Sequence, residues 1–357
     1  MKIIKKKPQL FFNSRFIYGD IPPRGVVEVI VLAGGFGSRL SPWTSHVPKP
    51  LLPMLDKTLV ERVLDLLPID EISKVIIAAG YRIDDIENYF NNLDLKFEVI
   101  VQPEEEPLGT GGAIANCRQH ISDTFLVING DLITSVNISS LIEQHKKSNV
   151  LASISLFEVE DPTRFGVVEI SQDKKILQFQ EKPTLEEALS NLINAGTYVL
   201  EPEIFEIMPD GAHSMERDVF TKIAPMGEMF GFEFNGYFVD AGTPASWLDS
   251  CRTCFNDGRW NSGSNVDGNW IGENCLILES KCEESYILDN CEINNSSLSN
   301  SCILRNSIVE TECILKNSLV GENAIIGKGC ILENVIVDFN ARMPDGWKQS
   351  GGRYPNQ

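Results

Sequence analysis

The sequence predicts an α/β protein in two parts, a doubly wound, mostly parallel sheet followed by a parallel β-helix. Three observations carry this reading. A glycine-rich loop, Leu32-Ala33-Gly34-Gly35-Phe36-Gly37-Ser38-Arg39-Leu40, stands between an apolar strand pattern and a helical one. Strand and helix patterns then alternate to about Phe255. Beyond Asn269 the pattern changes to short repeats of eleven and six residues.

Residues 1–25 have no clear period and contain Pro22-Pro23, so they read as an extension without an assigned function. Val26 to Val31 is apolar and β-branched enough for a buried strand. Thr58 to Leu67 has the apolar spacing of a helix. Strand patterns follow at 74–79, 97–102, 124–129, 151–159 and 165–170, with helical patterns at 83–90, 111–120 and 138–147. Asp173-Lys174-Lys175 lies between two strand patterns and marks a hairpin. Repeated β–α alternation implies a parallel core covered by helices on both faces. Such sheets bind ligands outside the carboxyl ends of their strands, near the switch point.

In the tail, blocks starting at Cys291, Cys302 and Cys313 repeat every eleven residues, and Ala324 to Leu332 has a period of six. An eleven-residue period also suits a right-handed helical coil. The Asn-Ser corners and β-branched residues oppose that, and eleven reads better as six plus five, two short faces of a parallel β-helix. Its inward Ile, Leu, Val and Cys side chains stack in ladders, which makes most cysteines small core residues. The expected boundaries are an extension at 1–25, a first domain at 26–255, the β-helix at 256–345 and a tail at 346–357.

The chain has 357 residues, 43% hydrophobic and 23% charged, as in an ordinary globular protein. A net charge of −19 excludes a general nucleic-acid binder. No stretch approaches the roughly 18 to 20 apolar residues of a membrane span. The basic start Met1 to Lys7 lacks the apolar core of a signal peptide. Nine cysteines, an odd number, suit reduced thiols. Cys251-x-x-Cys254 lies on a helical pattern, and a zinc site there would need two more ligands held nearby. The expectation is a cytoplasmic protein with no nucleic-acid or membrane partner.

The chemistry is sought in loops after strands. Glycines let the backbone approach a bulky anion and turn N–H groups toward it. Arg39 adds a planar fork for phosphate oxygens, and Lys49, between Pro48 and Pro50, adds a point charge. The loop is no Walker motif, because no Gly-Lys-Ser/Thr follows, and it lacks the third glycine of a dinucleotide fingerprint. A second glycine-rich segment, Gln102 to Ala113, opens a helix after a strand. Val127-Ile128-Asn129-Gly130-Asp131 sets a carboxylate at the sheet edge, the kind of oxygen ligand that Mg²⁺ prefers. Phe165 to Glu169 with Phe179-Gln180-Glu181-Lys182-Pro183, Asn194-Ala195-Gly196, Ser214 to Phe220 and Gly236 to Pro244 complete the set.

Taken together, these strings resemble the sugar-1-phosphate nucleotidyltransferases, whose signature is roughly L-A-G-G-x-G-T/S-R-L-x-P followed by P-K-P. The resemblance runs from Val26 to Val337 and implies a Rossmann-like catalytic domain with a left-handed parallel β-helix. It implies a nucleotide site at Leu32, Ala33, Gly34, Gly35, Gly37 and Ser38, with Gln102 and Gly109 reading the base beside Thr110. It implies a sugar-phosphate site at Gly166, Glu181, Lys182 and Asn194. Arg39 and Lys49 match the phosphate-binding cations, and Asp131 and Asp240 the two Mg²⁺ ligands. At Tyr237-Phe238 the chain departs from the family's usual tryptophan, and the carboxylate of Asp240 is kept. The segment Ser214 to Phe220 resembles that of guanylyl-type members and is read as structural.

The implied reaction joins a nucleoside triphosphate to a sugar-1-phosphate, with GTP and mannose-1-phosphate favoured. Thymidylyl, uridylyl or adenylyl transfer to glucose-1-phosphate, or a non-catalytic nucleotide-sugar sensor, are the alternatives. The family also implies a homo-oligomer, formed through the β-helix.

Overall fold

A computed structural model describes residues 27–355; the predicted extension at 1–25 lies outside them. The first domain contains β1 (Val27–Leu32), α1 (Leu59–Leu64), β2 (Ile72–Ala79), α2 (Ile83–Asn91), β3 (Glu98–Pro103), α3 (Gly109–Asn116), β4 (Phe125–Asn129) and α4 (Ile138–Ser148). It continues through β5 (Ala152–Glu158), β6 (Gly166–Ile170), β7 (Ile176–Glu181), β8 (Leu192–Leu200), β9 (Met229–Glu233), β10 (Phe238–Asp240) and α5 (Pro244–Asn256). The main sheet runs β7-β6-β8-β4-β1-β2-β3, with β5 joined to β8 and β9. Strands β3, β2, β1 and β4 are parallel neighbours, and β8 attaches antiparallel to β4.

Side-chain alternation along β1 explains why both faces are covered. Ile30 points into a core with Ala113 and Ile114 of α3. Val27, Val29 and Val31 point the other way, toward α1, α2 and α4. Thr58 caps α1 in a reciprocal box with Glu61, and Asn137 caps α4. The crevice between β1 and β4, where the strand order reverses, is the topological switch point.

The second unit is a three-faced parallel β-helix of the left-handed type. One face stacks Trp270, Tyr286, Cys302, Leu319, Ile336 and Arg353 in register. Hydrogen-bonded asparagines on successive coils lie 16 or 17 residues apart. The eleven-residue blocks therefore cover two of three faces, so Cys291, Cys302 and Cys313 do not form one ladder. The corners need a left-handed backbone, which Asn adopts more readily than most residues; Asn290, Asn306, Asn323 and Asn340 take φ between 57 and 61° and chain their side-chain amides. All nine cysteines are free thiols, most of them buried.

The β-helix reaches further than the sequence pattern predicts. Lys348–Ser350 and Arg353–Tyr354 pair with the coil before them, so much of the expected tail at 346–357 is a further coil. Its charged residues and Gly351-Gly352 hide the apolar period.

The two units share a core. Trp43, Trp247, Leu248, Cys251 and Cys254 pack with Trp270, Tyr286 and Cys302. The buried Arg62 guanidinium joins them through Met54 O, Arg259 O and Asp56. Among the described residues no helix is long and apolar enough to cross a membrane.

Candidate active site

Three cavities open at the carboxyl ends of the strands, and Asp131 borders all of them. Their volumes are about 390, 190 and 390 Å³. Asp131 reaches this position because β4 ends at Asn129 and Gly130 N–H donates to Leu32 O at 2.8 Å, beside the end of β1.

The smallest cavity is the loop after β1. Leu32, Ala33, Gly35, Gly37, Ser38, Arg39 and Lys49 line it. Gly37 has φ +62°, and a Cβ there would lie 2.9 Å from Thr44 and 3.1 Å from Lys49, so a larger residue would displace the lysine. Lys49 is 9% exposed and donates to Asp131 Oδ2 at 2.5 Å. The exposed Arg39 guanidinium stands over Gly242, next to Asp240.

Asp240 comes from the end of β10, which pairs with the short strand Leu132–Thr134 after Asp131. Ala241 N–H donates to Asp131 O at 2.9 Å, which holds the two carboxylate residues together. Burial, then the charge of Asp131, pushes the Asp240 carboxyl above its ordinary range, against Lys49 and Arg39. Asp240 Oδ1 is buried with no partner. A buried acceptor left unpaired beside a second carboxylate fits a cation ligand.

The second cavity lies beyond β6 and β8. Gly166, Glu181, Lys182 and Asn194 line it, together with Asp131 and Asp240. Burial and the nearby Glu216 raise the Glu181 carboxyl. Lys182 Nζ stands 3.4 Å from Glu181 Oε1, and its backbone is left-handed at φ 47°.

The third cavity, lined by Gly34, Phe36, Glu104, Pro107, Gly109 and Thr110, shares Asn129 and Asp131 with the second. Thr110 belongs to both larger cavities and donates to Glu216 Oε2 at 2.6 Å.

One predicted site residue is elsewhere. Gln102 accepts from Gln119 Nε2 at 3.1 Å and lies 3.0 Å from His120 Nε2, beyond the C-terminal end of α3. It shares the strand face of Ile100, which packs toward α3. Glu104, one residue past the end of β3, takes the cavity position instead. Residues the sequence reading left out are Asn129, Arg164, Tyr198, Glu216 and Arg217, all around the second cavity. The segment Ser214 to Phe220, expected to be structural, does both jobs: Ser214 caps it and Glu216 enters the cavity. Asn129 was legible as the last strand residue before Gly130.

The β-helix touches the glycine loop directly. Arg353 donates to Ser38 O at 2.9 Å, Trp43 Nε1 donates to Val337 O at 2.9 Å, and His46 stacks on Phe339.

With this geometry in view, residues 28–255 match the nucleotidyl transferase family, and residues 262–349 match the GlmU-like C-terminal hexapeptide family. The bifunctional protein GlmU of Methanococcus maripaludis (strain C5) is 33% identical over 258 residues, which are 69% of this chain and 60% of that protein. The chain thus spans about 60% of the length of that relative. Mannose-1-phosphate guanylyltransferase 1 of Arabidopsis thaliana is 30% identical over 271 residues, 70% of this chain and 74% of that protein. The crystal structure of HddC from Yersinia pseudotuberculosis complexed with GMP-PN superposes with a TM-score of 0.54 at 31% identity, over 63% of this chain and 98% of that one. A UDP-glucose pyrophosphorylase structure, at 22% identity and TM-score 0.58 over 65% of this chain and 99% of that one, shares the fold.

Proposed function

Because this chain belongs to the nucleotidyl transferase family, we propose that it joins a nucleoside triphosphate to a sugar-1-phosphate, giving a nucleotide-sugar and pyrophosphate. The observation that carries this reading is the meeting of two large cavities at Asp131, with Asp240, Lys49 and Arg39 around the junction. One cavity suits the nucleoside and the other the sugar, so their phosphates meet where the charged groups converge.

An oxygen of the sugar-1-phosphate attacks the α-phosphorus in line and pyrophosphate leaves. The nucleophile is already an anion, so no general base is needed, and positioning with charge neutralisation carries catalysis. The loop backbone from Leu32 to Ser38 holds the triphosphate. Arg39 holds the leaving pyrophosphate. Lys49, pre-oriented by Asp131, neutralises the α-phosphate. Lys182 holds the sugar phosphate, while Glu181 and Asn194 take sugar hydroxyls and Gly166 gives the ring room. Asp131 and Asp240 are the proposed Mg²⁺ ligands; two carboxylates suit an ion that takes its other ligands from waters and phosphates. When bound, the ion supplies charge neutralisation between the two anionic substrates.

GTP and mannose-1-phosphate are the favoured pair. The relatives named mannose-1-phosphate guanylyltransferase and the HddC complex with GMP-PN support this choice. We propose a cytoplasmic homo-oligomer, assembled through β-helix faces that expose Leu276, Leu278, Ile314 and Ile331; sedimentation as a monomer would end that part. The test of function is pyrophosphate release with Mg²⁺, across the common nucleoside triphosphates against mannose-1-phosphate and glucose-1-phosphate. Release with GTP and mannose-1-phosphate is expected. Release with another pair corrects the substrates alone. Nucleotide-sugar binding with silence across the grid would favour a sensor.

A further inference from the structure

Between Arg39 and Lys49 the chain makes one helical turn, Trp43–His46. The turn is joined to the glycine loop, where Thr44 Oγ1 donates to Gly37 O at 3.2 Å. His46 precedes Lys49 by three residues. Extended Val47 and rigid Pro48 link the two, so a shift of His46 is passed to Lys49 rather than absorbed.

The other side of this turn rests on the β-helix. His46 Nε2 stands 2.9 Å from Asp338 Oδ1. The His46 ring lies parallel to Phe339, with centroids 5.3 Å apart. Asp338 Oδ1 also accepts from Phe339 N–H at 2.7 Å, and Asp338 N–H donates to Tyr354 O at 2.8 Å. The last coil therefore braces the corner that holds His46.

The repeat itself marks this corner. Ile287, Ile303, Val320 and Val337 are in-register partners on successive coils. One residue on from them come Leu288, Leu304, Gly321 and Asp338, and next Asp289, Arg305, Glu322 and Phe339. Arg305 lies 3.3 Å from Asp289 and 4.0 Å from Glu322, so the first three of that row form a ladder of alternating charge. Phe339 ends it. The corner does not need the change, because Asn340 keeps the left-handed φ, 57°, of the asparagines on the coils before it. Gly321 makes room, since a Cβ there would lie 2.7 Å from Phe339 Cδ1. Glycine, aspartate and phenylalanine thus depart from the repeat where the coil meets His46.

We infer that His46 is a positioning residue: held by Asp338 and Phe339 of the β-helix, it fixes Lys49 against the triphosphate. The inference rests on the proposed transfer, which gives Lys49 its phosphate.

The test is calorimetric binding of GTP and UTP, with urea unfolding alongside, on the full chain. The variants are His46→Ala, Phe339→Ala, Lys49→Ala, and His46→Ala combined with Lys49→Ala. The His46 side chain is 41% exposed, so its loss should leave the fold intact. His46→Ala and Phe339→Ala should each weaken binding by about five- to tenfold, equally for both nucleotides, because the displaced group is a phosphate ligand. In the Lys49→Ala background, His46→Ala should change affinity by less than about twofold, since it acts through the missing lysine. His46→Gln, which keeps a donor toward Asp338, should recover part of the loss. A purely structural role would weaken binding by the same factor with and without Lys49, which would overturn the inference. Unchanged affinity in His46→Ala would overturn it too. The expected binding pattern without pyrophosphate release from any sugar-1-phosphate would sink the transfer reading and leave the positioning role standing. Conversely, normal release with independent effects of His46 and Lys49 would sink the positioning role alone.

Discussion

Lys182 combines a functional charge with a strained backbone, so two substitutions should separate its roles. Its φ of 47° lies in the left-handed region, and the following Pro183 prevents an ordinary helical escape. The side chain is 56% exposed and stands 3.4 Å from Glu181, so packing contributes little. A non-glycine residue in this region costs about 1–2 kcal/mol. Glycine avoids that cost but loses about 0.5–1 kcal/mol to the entropy of the unfolded chain. Lys182→Gly should therefore be more stable than Lys182→Ala by roughly 0.5–1 kcal/mol, the difference of those terms. Both lose the same ammonium group. A charge-assisted bond to the sugar phosphate is worth about 1.5–3 kcal/mol, so each variant should lose about 10- to 100-fold in kcat/KM. Urea unfolding gives the first quantity, and steady-state rates at varied sugar-1-phosphate give the second. Equal stability of the two variants would refute the strain argument. Less than a threefold loss of kcat/KM in both would refute the phosphate role.

Asp131→Asn and Asp240→Asn should each cost about 10²-fold or more in Mg²⁺-dependent turnover while the circular dichroism spectrum is kept. Mg²⁺ with nucleotide should raise the melting temperature of the wild type and leave Asp240→Asn unmoved. Asp56 is held below its ordinary carboxylate range: burial opposes this, but Asn261 N–H at 2.7 Å and the Arg62 guanidinium outweigh it. Its stabilising contribution is present above the ordinary value of 3.8 and is lost as pH falls through the lower folded value. Acid titration monitored by tryptophan fluorescence should accordingly show a shallower stability loss in that window for Asp56→Asn. Arg353→Ala removes one exposed hydrogen bond to the glycine loop, worth about 1 kcal/mol, so the KM for nucleotide should rise up to about fivefold. An unchanged KM would mean that the last coil does not brace the loop.

Much of this was legible in the sequence because local chemistry repeats the global plan. The β-branched run ending at Val31 is buried on both faces in β1, and the Gly-Asp pair at 130 and 131 stands at the switch point. What failed needed through-space information. Gln102 and Glu104 are two residues apart at the end of one strand, and no local pattern says which enters the cavity. Glu216 reaches the cavity across a distance in sequence that no local pattern spans, through Thr110. The final coil was hidden because Lys348, Gln349 and Arg353 carry strand pairing without apolar spacing. Likewise, eleven-residue blocks reveal two faces of a coil and conceal the third.

The central claim is direct displacement at the α-phosphorus by a sugar phosphate, and isotope tracing tests it most closely. The substrate is a sugar-1-phosphate carrying ¹⁸O on all its phosphate oxygens, incubated with Mg²⁺ and the preferred nucleoside triphosphate. Mass spectrometry of both products then follows the label. The account predicts that all of it appears in the nucleotide-sugar and none in the pyrophosphate. Label in the pyrophosphate, or pyrophosphate formed without nucleotide-sugar, would contradict it.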